Sequence, residues 1–162
     1  MDRKTAQGRV LIAFLFSVIT CNSNLNAQWS TASTAPDISA NQILNLQKDQ
    51  AGKRKFVIVD VRTAAESNVS IIPGAITVAE FEKNVRQYQG RTVITYCTVG
   101  VRSGNYANKL KQQGWEAFNY RGSILDWCKN KLPLTTRTGE TTRRVHIYSR
   151  WYSVPSEYAA IY

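Results

Sequence analysis

Apolar positions along the chain come in short unbroken blocks separated by stretches in which they recur every three or four residues. "KFVIVDV" (55–61) and "RTVITY" (91–96) are blocks of the kind that form strands buried on both faces. "WEAFNY" (115–120) alternates apolar and polar residues as a third strand. Between them lie segments with helical spacing. "DISANQILNLQKDQAG" (37–52) has Asp37 or Ser39 as a cap, Ile43, Leu44 and Leu46 on its apolar side, and Gly52 past its end. "AEFEKNVRQYQG" (79–90) and "SGNYANKLKQQG" (103–114) each close on a glycine, and the second sets Tyr106, Ala107 and Leu110 on one side. "TAAESNV" (63–69) is enough for one helical turn. "IIPGAITV" (71–78) is a turn on Pro73-Gly74 running into a short strand, and "RGSILDWCKN" (121–130) is a loop entering a short helix. After Pro133 the pattern fades.

Strands that alternate with helices and are apolar throughout predict an α/β domain, with a mainly parallel sheet covered on both faces. In such sheets ligands bind beyond the carboxyl ends of the strands. Two predicted strand ends carry chemistry there: Asp60 with Arg62, and Cys97 with Arg102.

The amino terminus does not fit this domain. Arg3, Lys4 and Arg9 precede an eleven-residue apolar run, "VLIAFLFSVIT", and a polar stretch ending at Ala27. This predicts an export signal over 1–27, cut after Ala27. The run is short for a membrane span, which takes roughly 20 residues. A lipid anchor on Cys21 and an uncleaved membrane anchor are the rival readings. Residues 28–37 then form a flexible leader, 38–134 the domain, and 135–162 an extension. The expected location is outside the cytoplasm, in a periplasm first, with outright secretion or a thylakoid lumen as the alternatives.

Of 162 residues 43% are apolar, enough for a core that needs neither metal nor disulfides. Three scattered cysteines and a single histidine, His146, provide no zinc site and leave a Cys-His hydrolase little to work with. The formal charge is +10; losing 1–27 removes three of 21 basic and one of 11 acidic residues and leaves +8. The basic residues form no stripe interleaved with aromatics, so nucleic acid is not the expected partner.

The segment "TVITYCTVGVRSGNYANKLKQQG" (92–114) places a thiol at the tip of a strand and just before a helix. The reactive form of cysteine is the thiolate, and a helix amino end, a nearby arginine and inward-facing loop amides all favour it. Thr98, Val99, Gly100 and Val101 form the expected anion-binding loop with Arg102 closing it. This establishes an anion-cradling thiol without fixing the reaction.

Four motifs, in order over roughly 38–134, resemble the rhodanese family. "CTVGVR" (97–102) resembles its six-residue active-site loop, and "VIVDVR" (57–62) its "DVR" strand end. Glu66 followed by "IIPGA" (71–75) resembles "E…GHIPGA", and "YRGSILDW" (120–127) the closing "GG…W". The resemblance implies a three-layer rhodanese-like domain, with a central, mainly parallel sheet and flanking helices. It implies a single-domain sulfurtransferase in which Cys97 carries a persulfide, Asp60 and Arg62 are supporting residues, and no metal or cofactor takes part. The donor would be a small thiosulfate-like anion and the acceptor a thiol or cyanide. Ser70-Ile71 replaces the family's Gly-His and Ser123 the second closing glycine; both read as changes to turns rather than to chemistry. The uncharged side chains of Thr98, Val99 and Val101 leave the donor open. The alternative is a sulfur-carrier or partner-binding module, with 135–162 as the partner surface. Phosphatase or arsenate reductase chemistry fits less well, because related phosphatases place five residues between cysteine and arginine where this chain has four, "TVGV".

Overall fold

The structure is a computed structural model that describes residues 34–49 and 55–162. The predicted export signal (1–27), Cys21, the first part of the leader (28–33) and Gly52 lie outside the described residues. Four strands, β1 (Phe56–Asp60), β2 (Ala75–Thr77), β3 (Thr92–Tyr96) and β4 (Ala117–Asn119), form one sheet in the order β2-β1-β3-β4. All three pairings are parallel. Every residue of β1 is buried, as an unbroken apolar run requires when both faces are covered.

Strand periodicity divides the core in two. Phe56, Ile58, Ile94 and Tyr96 pack with Ile43 of α1 (Ala40–Lys48) and with Ile124 and Trp127 of α5 (Ser123–Lys129). Val57, Val59 and Val93 belong to the opposite cluster. It also holds Phe81 of α3 (Val78–Lys83), Ala107 and Leu110 of α4 (Val101–Gln112), Ala117 of β4, and Tyr88. Helix α2 (Ala64–Val69) joins β1 to the turn before β2. The three-layer rhodanese-like architecture expected from the sequence is the one observed.

Local signals decide the helix starts. Ser39 caps α1, Thr63 caps α2 and Thr77 caps α3, each reciprocated by Gln42, Glu66 or Glu80 three residues on. Of the two candidate caps for α1, Asp37 does something else: it forms a parallel bridge to Asn119, and Asn119 N–H donates to Pro36 O at 2.9 Å. The end of the predicted leader is therefore laid against β4.

Two predicted helices differ in extent. The one expected over 79–90 ends at Lys83 and resumes as a short 3₁₀ turn, Val85–Tyr88. Asn84 causes the break, its side-chain amide donating to the Glu80 carbonyl at 3.0 Å beside its own N–H. Helix α4 begins at Val101, immediately after Gly100 in a left-handed conformation (φ 91°), so Arg102 lies in its first turn.

The segment after Pro133, unplaced from sequence, is structured. β5 (Leu134–Thr135) pairs antiparallel with β6 (Thr141–Thr142), and β7 (Arg144–His146) pairs parallel with β8 (Ala159–Ile161). Val145, Ile147 and Tyr158 join the core cluster of α1 and α5. Among the described residues no helix is long and apolar enough to cross a membrane.

Candidate active site

Cys97 follows the last residue of β3, at the carboxyl end of the sheet. Its N–H donates to Ser123 Oγ at 3.0 Å, and its carbonyl accepts from Ile124 N–H at 3.2 Å, so the start of α5 holds the start of the loop. Gly100 N–H donates to Cys97 Sγ at 3.1 Å, and Ser103 Oγ lies 3.6 Å from the same sulfur. Burial by itself would push the Cys97 thiol up. Hydrogen bonds from the Ser103 amide and hydroxyl, and from the Val99 and Gly100 amides, outweigh it and hold the thiol below its ordinary range. The amide nest expected of this loop is present, and its centre is Sγ.

Gly100 cannot be another residue. Its φ of 91° disfavours any side chain, and a Cβ there would sit 2.2 Å from the Arg121 carbonyl oxygen. The loop and the β4–α5 turn interlock at this point.

Arg102 makes a bidentate pair with Glu66 at 2.8 and 2.7 Å and donates to Thr98 Oγ1 at 2.9 Å. Thr98 in turn donates to Glu66 at 2.9 Å. Burial opposes the Glu66 charge, but the bonds from Arg102, the Thr63 amide and hydroxyl, and Thr98 bring its pKa down to about 2. Arg102 is raised, by Glu66 first and by Cys97 to a lesser degree. The guanidinium thus faces the thiolate while Glu66 balances much of its charge, and of the three influences expected on the anion the loop amides are the ones aimed at the sulfur. Glu66 therefore both closes the start of α2 and pairs with the loop.

Asp60 and Arg62 do not reach the sulfur. They form a fully buried pair at 2.7 Å, and Asp60 also accepts from Tyr96 Oη at 2.8 Å and Ser67 Oγ at 3.1 Å. Arg62 donates to the Ser70 carbonyl at 2.6 Å. Tyr96 immediately precedes Cys97, so this network fixes the strand end from which the loop departs. Trp127 and Cys128 are core residues, and burial raises the Cys128 thiol to about 12. Both Cys97 and Cys128 are free.

A half-open cleft of about 170 Å³ lies over this arrangement, lined by Cys97, Thr98, Val99, Val101, Arg102, Tyr148 and Tyr152. Larger surface depressions at 83–87 and around 89–91 and 113–116 contain no thiol in their linings. Sequence reasoning found Cys97 and the loop 98–102. It missed Ser103 and Asn119, whose side chains are joined at 2.7 Å behind the sulfur, and Tyr148 and Tyr152 at the mouth. Ser123 was read only as a turn variant, and its support of the loop was missed. It adopts φ 55°, where a glycine would be at ease, and supplies the acceptor for the Cys97 amide. The one available signal for the tyrosines was the aromatic run "YSRWY" in the unplaced tail.

A profile of the rhodanese-like domain matches residues 39–130, and the chain belongs to that family. It is 31% identical over 99 residues to a sulfurtransferase of Allochromatium vinosum, a match covering 59% of this chain and 92% of that protein. It is also 31% identical over 106 residues to a tRNA uridine(34) hydroxylase of Burkholderia ambifaria, across 57% of this chain but only 37% of the relative. The structure resembles the thiosulfate sulfurtransferase of Pseudomonas aeruginosa in fold, with a TM-score of 0.54 at 17% identity, over 65% of this chain and 20% of that one. At the level of the family, then, the chain is a rhodanese-like protein with sulfurtransferase homologues.

Proposed function

We propose that the protein moves a sulfane sulfur from an anionic donor to a thiophilic acceptor through a persulfide on Cys97. The observation that carries this is the Gly100 amide, 3.1 Å from a Cys97 sulfur whose pKa is lowered, at the base of an open cleft. The Cys97 thiolate attacks the outer sulfur of thiosulfate; the S–S electron pair leaves with sulfite, and Cys97–S–S⁻ remains. An acceptor thiolate or cyanide then attacks the outer sulfur and returns Cys97–S⁻. The loop amides, already aimed at Sγ, hold the negative charge at both stages. Neither stage needs a metal or an organic cofactor.

Intact-protein mass spectrometry after incubation with thiosulfate tests this. The expected result is a gain of one sulfur atom on the protein, removed by cyanide and missing from Cys97→Ser. A reduced, folded protein that gains none would rule out thiosulfate as donor. A second reading, a carrier that passes its sulfur to a protein partner, is favoured by Trp151, which is 90% exposed on the segment that lines the cleft mouth. Loading without turnover on small acceptors would select it. We further infer export, to a periplasm first; the basis is the amino-terminal sequence alone, and amino-terminal sequencing of the natural protein checks it.

A further inference from the structure

The cleft has two walls of different origin. One is the loop 97–102, inside the matched domain. The other is a strap between β7 and β8, outside the 39–130 match, which contributes Tyr148 and Tyr152. The strap is built rather than draped. Ile147 is buried at its start and Tyr158 at its end, and the register of β7 and β8 sets Arg144 beside Ala159. Inside it, Tyr148 N–H donates to His146 Nδ1 at 3.1 Å, Ser149 N–H to Ile147 O at 2.8 Å, and Tyr152 N–H to Ser149 O at 3.0 Å. Tyr148 is held at φ 66°, a conformation that costs a non-glycine residue energy, and its ring stacks on the Arg102 guanidinium at 5.3 Å.

Thiosulfate does not account for such a wall. Its charged end needs donors, which the loop amides supply, and it has no carbon to place on a ring. The mouth is mostly apolar: Val99 and Val101 face Tyr148 and Tyr152. The one cation there, Arg102, is largely balanced by Glu66. The volume, about 170 Å³, is of the size that takes a benzene ring in an apolar protein cavity, roughly 150 Å³. An anionic sulfur at the floor and an apolar wall at the mouth together suit an amphiphilic ligand.

Resting on sulfur transfer by Cys97, we infer that Tyr148 and Tyr152 make the cleft selective for organic sulfane-sulfur donors, in which the sulfur is attached to an apolar, ring-sized group. For a thiosulfonate R–SO₂–S⁻, the Cys97 thiolate attacks the terminal sulfur and forms Cys97–S–S⁻. The bond to the sulfonyl sulfur breaks, and its electron pair leaves with the sulfinate R–SO₂⁻. Charge and atoms balance with no further reactant. The group R lies against Tyr152 and the exposed edge of Tyr148, and Val101 closes the far side.

The test compares benzenethiosulfonate with methanethiosulfonate as donors, for the unaltered protein and for Tyr152→Ala and Tyr152→Phe, with thermal melts confirming that both variants fold. Intrinsic reactivity cancels in the ratio of kcat/KM values between proteins. Tyr152→Ala should lower the benzene-to-methane ratio about tenfold, through KM, and Tyr152→Phe should retain it. Calorimetric titration of Cys97→Ser with benzenesulfinate and methanesulfinate asks the same question without turnover. Benzenesulfinate should bind about tenfold more tightly, a preference abolished when Tyr152→Ala is added. Equal affinities, or a ratio that Tyr152→Ala leaves unmoved, would overturn the inference even if Cys97 transfers sulfur well. Preferential sulfinate binding on a protein that never loads sulfur would instead sink the transfer reading and leave the aromatic wall standing.

Discussion

Cys97 is tuned by residues beyond its immediate neighbours in sequence. The Ser103 hydroxyl, 3.6 Å from the sulfur, has a single proton to share between Sγ and Asn119. A donor to the anion lowers a thiol's pKa, so Ser103→Ala should raise that of Cys97. The reactive thiolate would then disappear at a higher pH. The acid limb of the iodoacetamide alkylation rate should move upward, and an unmoved limb would remove Ser103 from the account. Gly100→Ala is harsher. It meets the Arg121 carbonyl and a left-handed φ together, and should cost about 1–3 kcal/mol in urea unfolding and abolish sulfur loading. Cys97, Gly100 and Arg102 were legible from the sequence because they are contiguous and their types suit an anion loop. Ser103 and Ser123 were not. A hydroxyl's reach depends on how α4 and α5 are turned against β3, and no spacing rule encodes that.

At the scale of elements, Glu66 ties α2 to α4. It closes the capping box of Thr63 with one oxygen and pairs with Arg102 through both. Its pKa falls from an ordinary 4.5 to about 2 on folding. A lowered carboxylate stabilises the folded state fully above pH 4.5 and progressively less as pH drops toward 2. Glu66→Gln should therefore flatten the loss of stability over that interval, read by urea unfolding at successive pH values. It should also loosen Arg102 and raise its salt sensitivity. The buried pair at the end of β1 behaves differently. Asp60→Asn leaves the buried Arg62 charged without its paired carboxylate, and should cost about 3–5 kcal/mol. β1, β3 and the helices were readable because runs of five or more residues carry a period, while β2 and β4, three residues each, were marked by the Pro73-Gly74 turn and by the longer alternating segment 115–120. Asn84 broke a helix whose spacing looked continuous, because its side chain competes for a carbonyl, a contest invisible to periodicity. β5–β8 are two or three residues long, too short to show alternation at all.

Over the whole molecule, the tail is part of the body. Val145 is fully buried, Ile147 is 1% exposed, and both pack in the cluster that contains Trp127 and Leu134. Ile147→Ala should cost about 2–5 kcal/mol, measured by urea unfolding. Deleting 136–162 should lower the melting temperature sharply rather than spare the fold; a truncated protein that melts as the full one does would return the tail to the status of an appendage. The sequence reading left the segment as an extension or a partner surface because "VHIYSRWY" mixes apolar and polar residues with no clear period. Val145 and Ile147 are anchors, while Tyr148 and Tyr152 line the cleft and Trp151 stands exposed beside them. The parallel pairing of Arg144 with Ala159 brings the two roots of the strap side by side. One stretch of polypeptide can therefore be exchanged between those roots while the thiol loop, encoded some fifty residues earlier, keeps its geometry. In such an arrangement chemistry and choice of substrate can diverge independently, and descendants of one ancestral transferase could acquire new donors by rewriting a dozen codons.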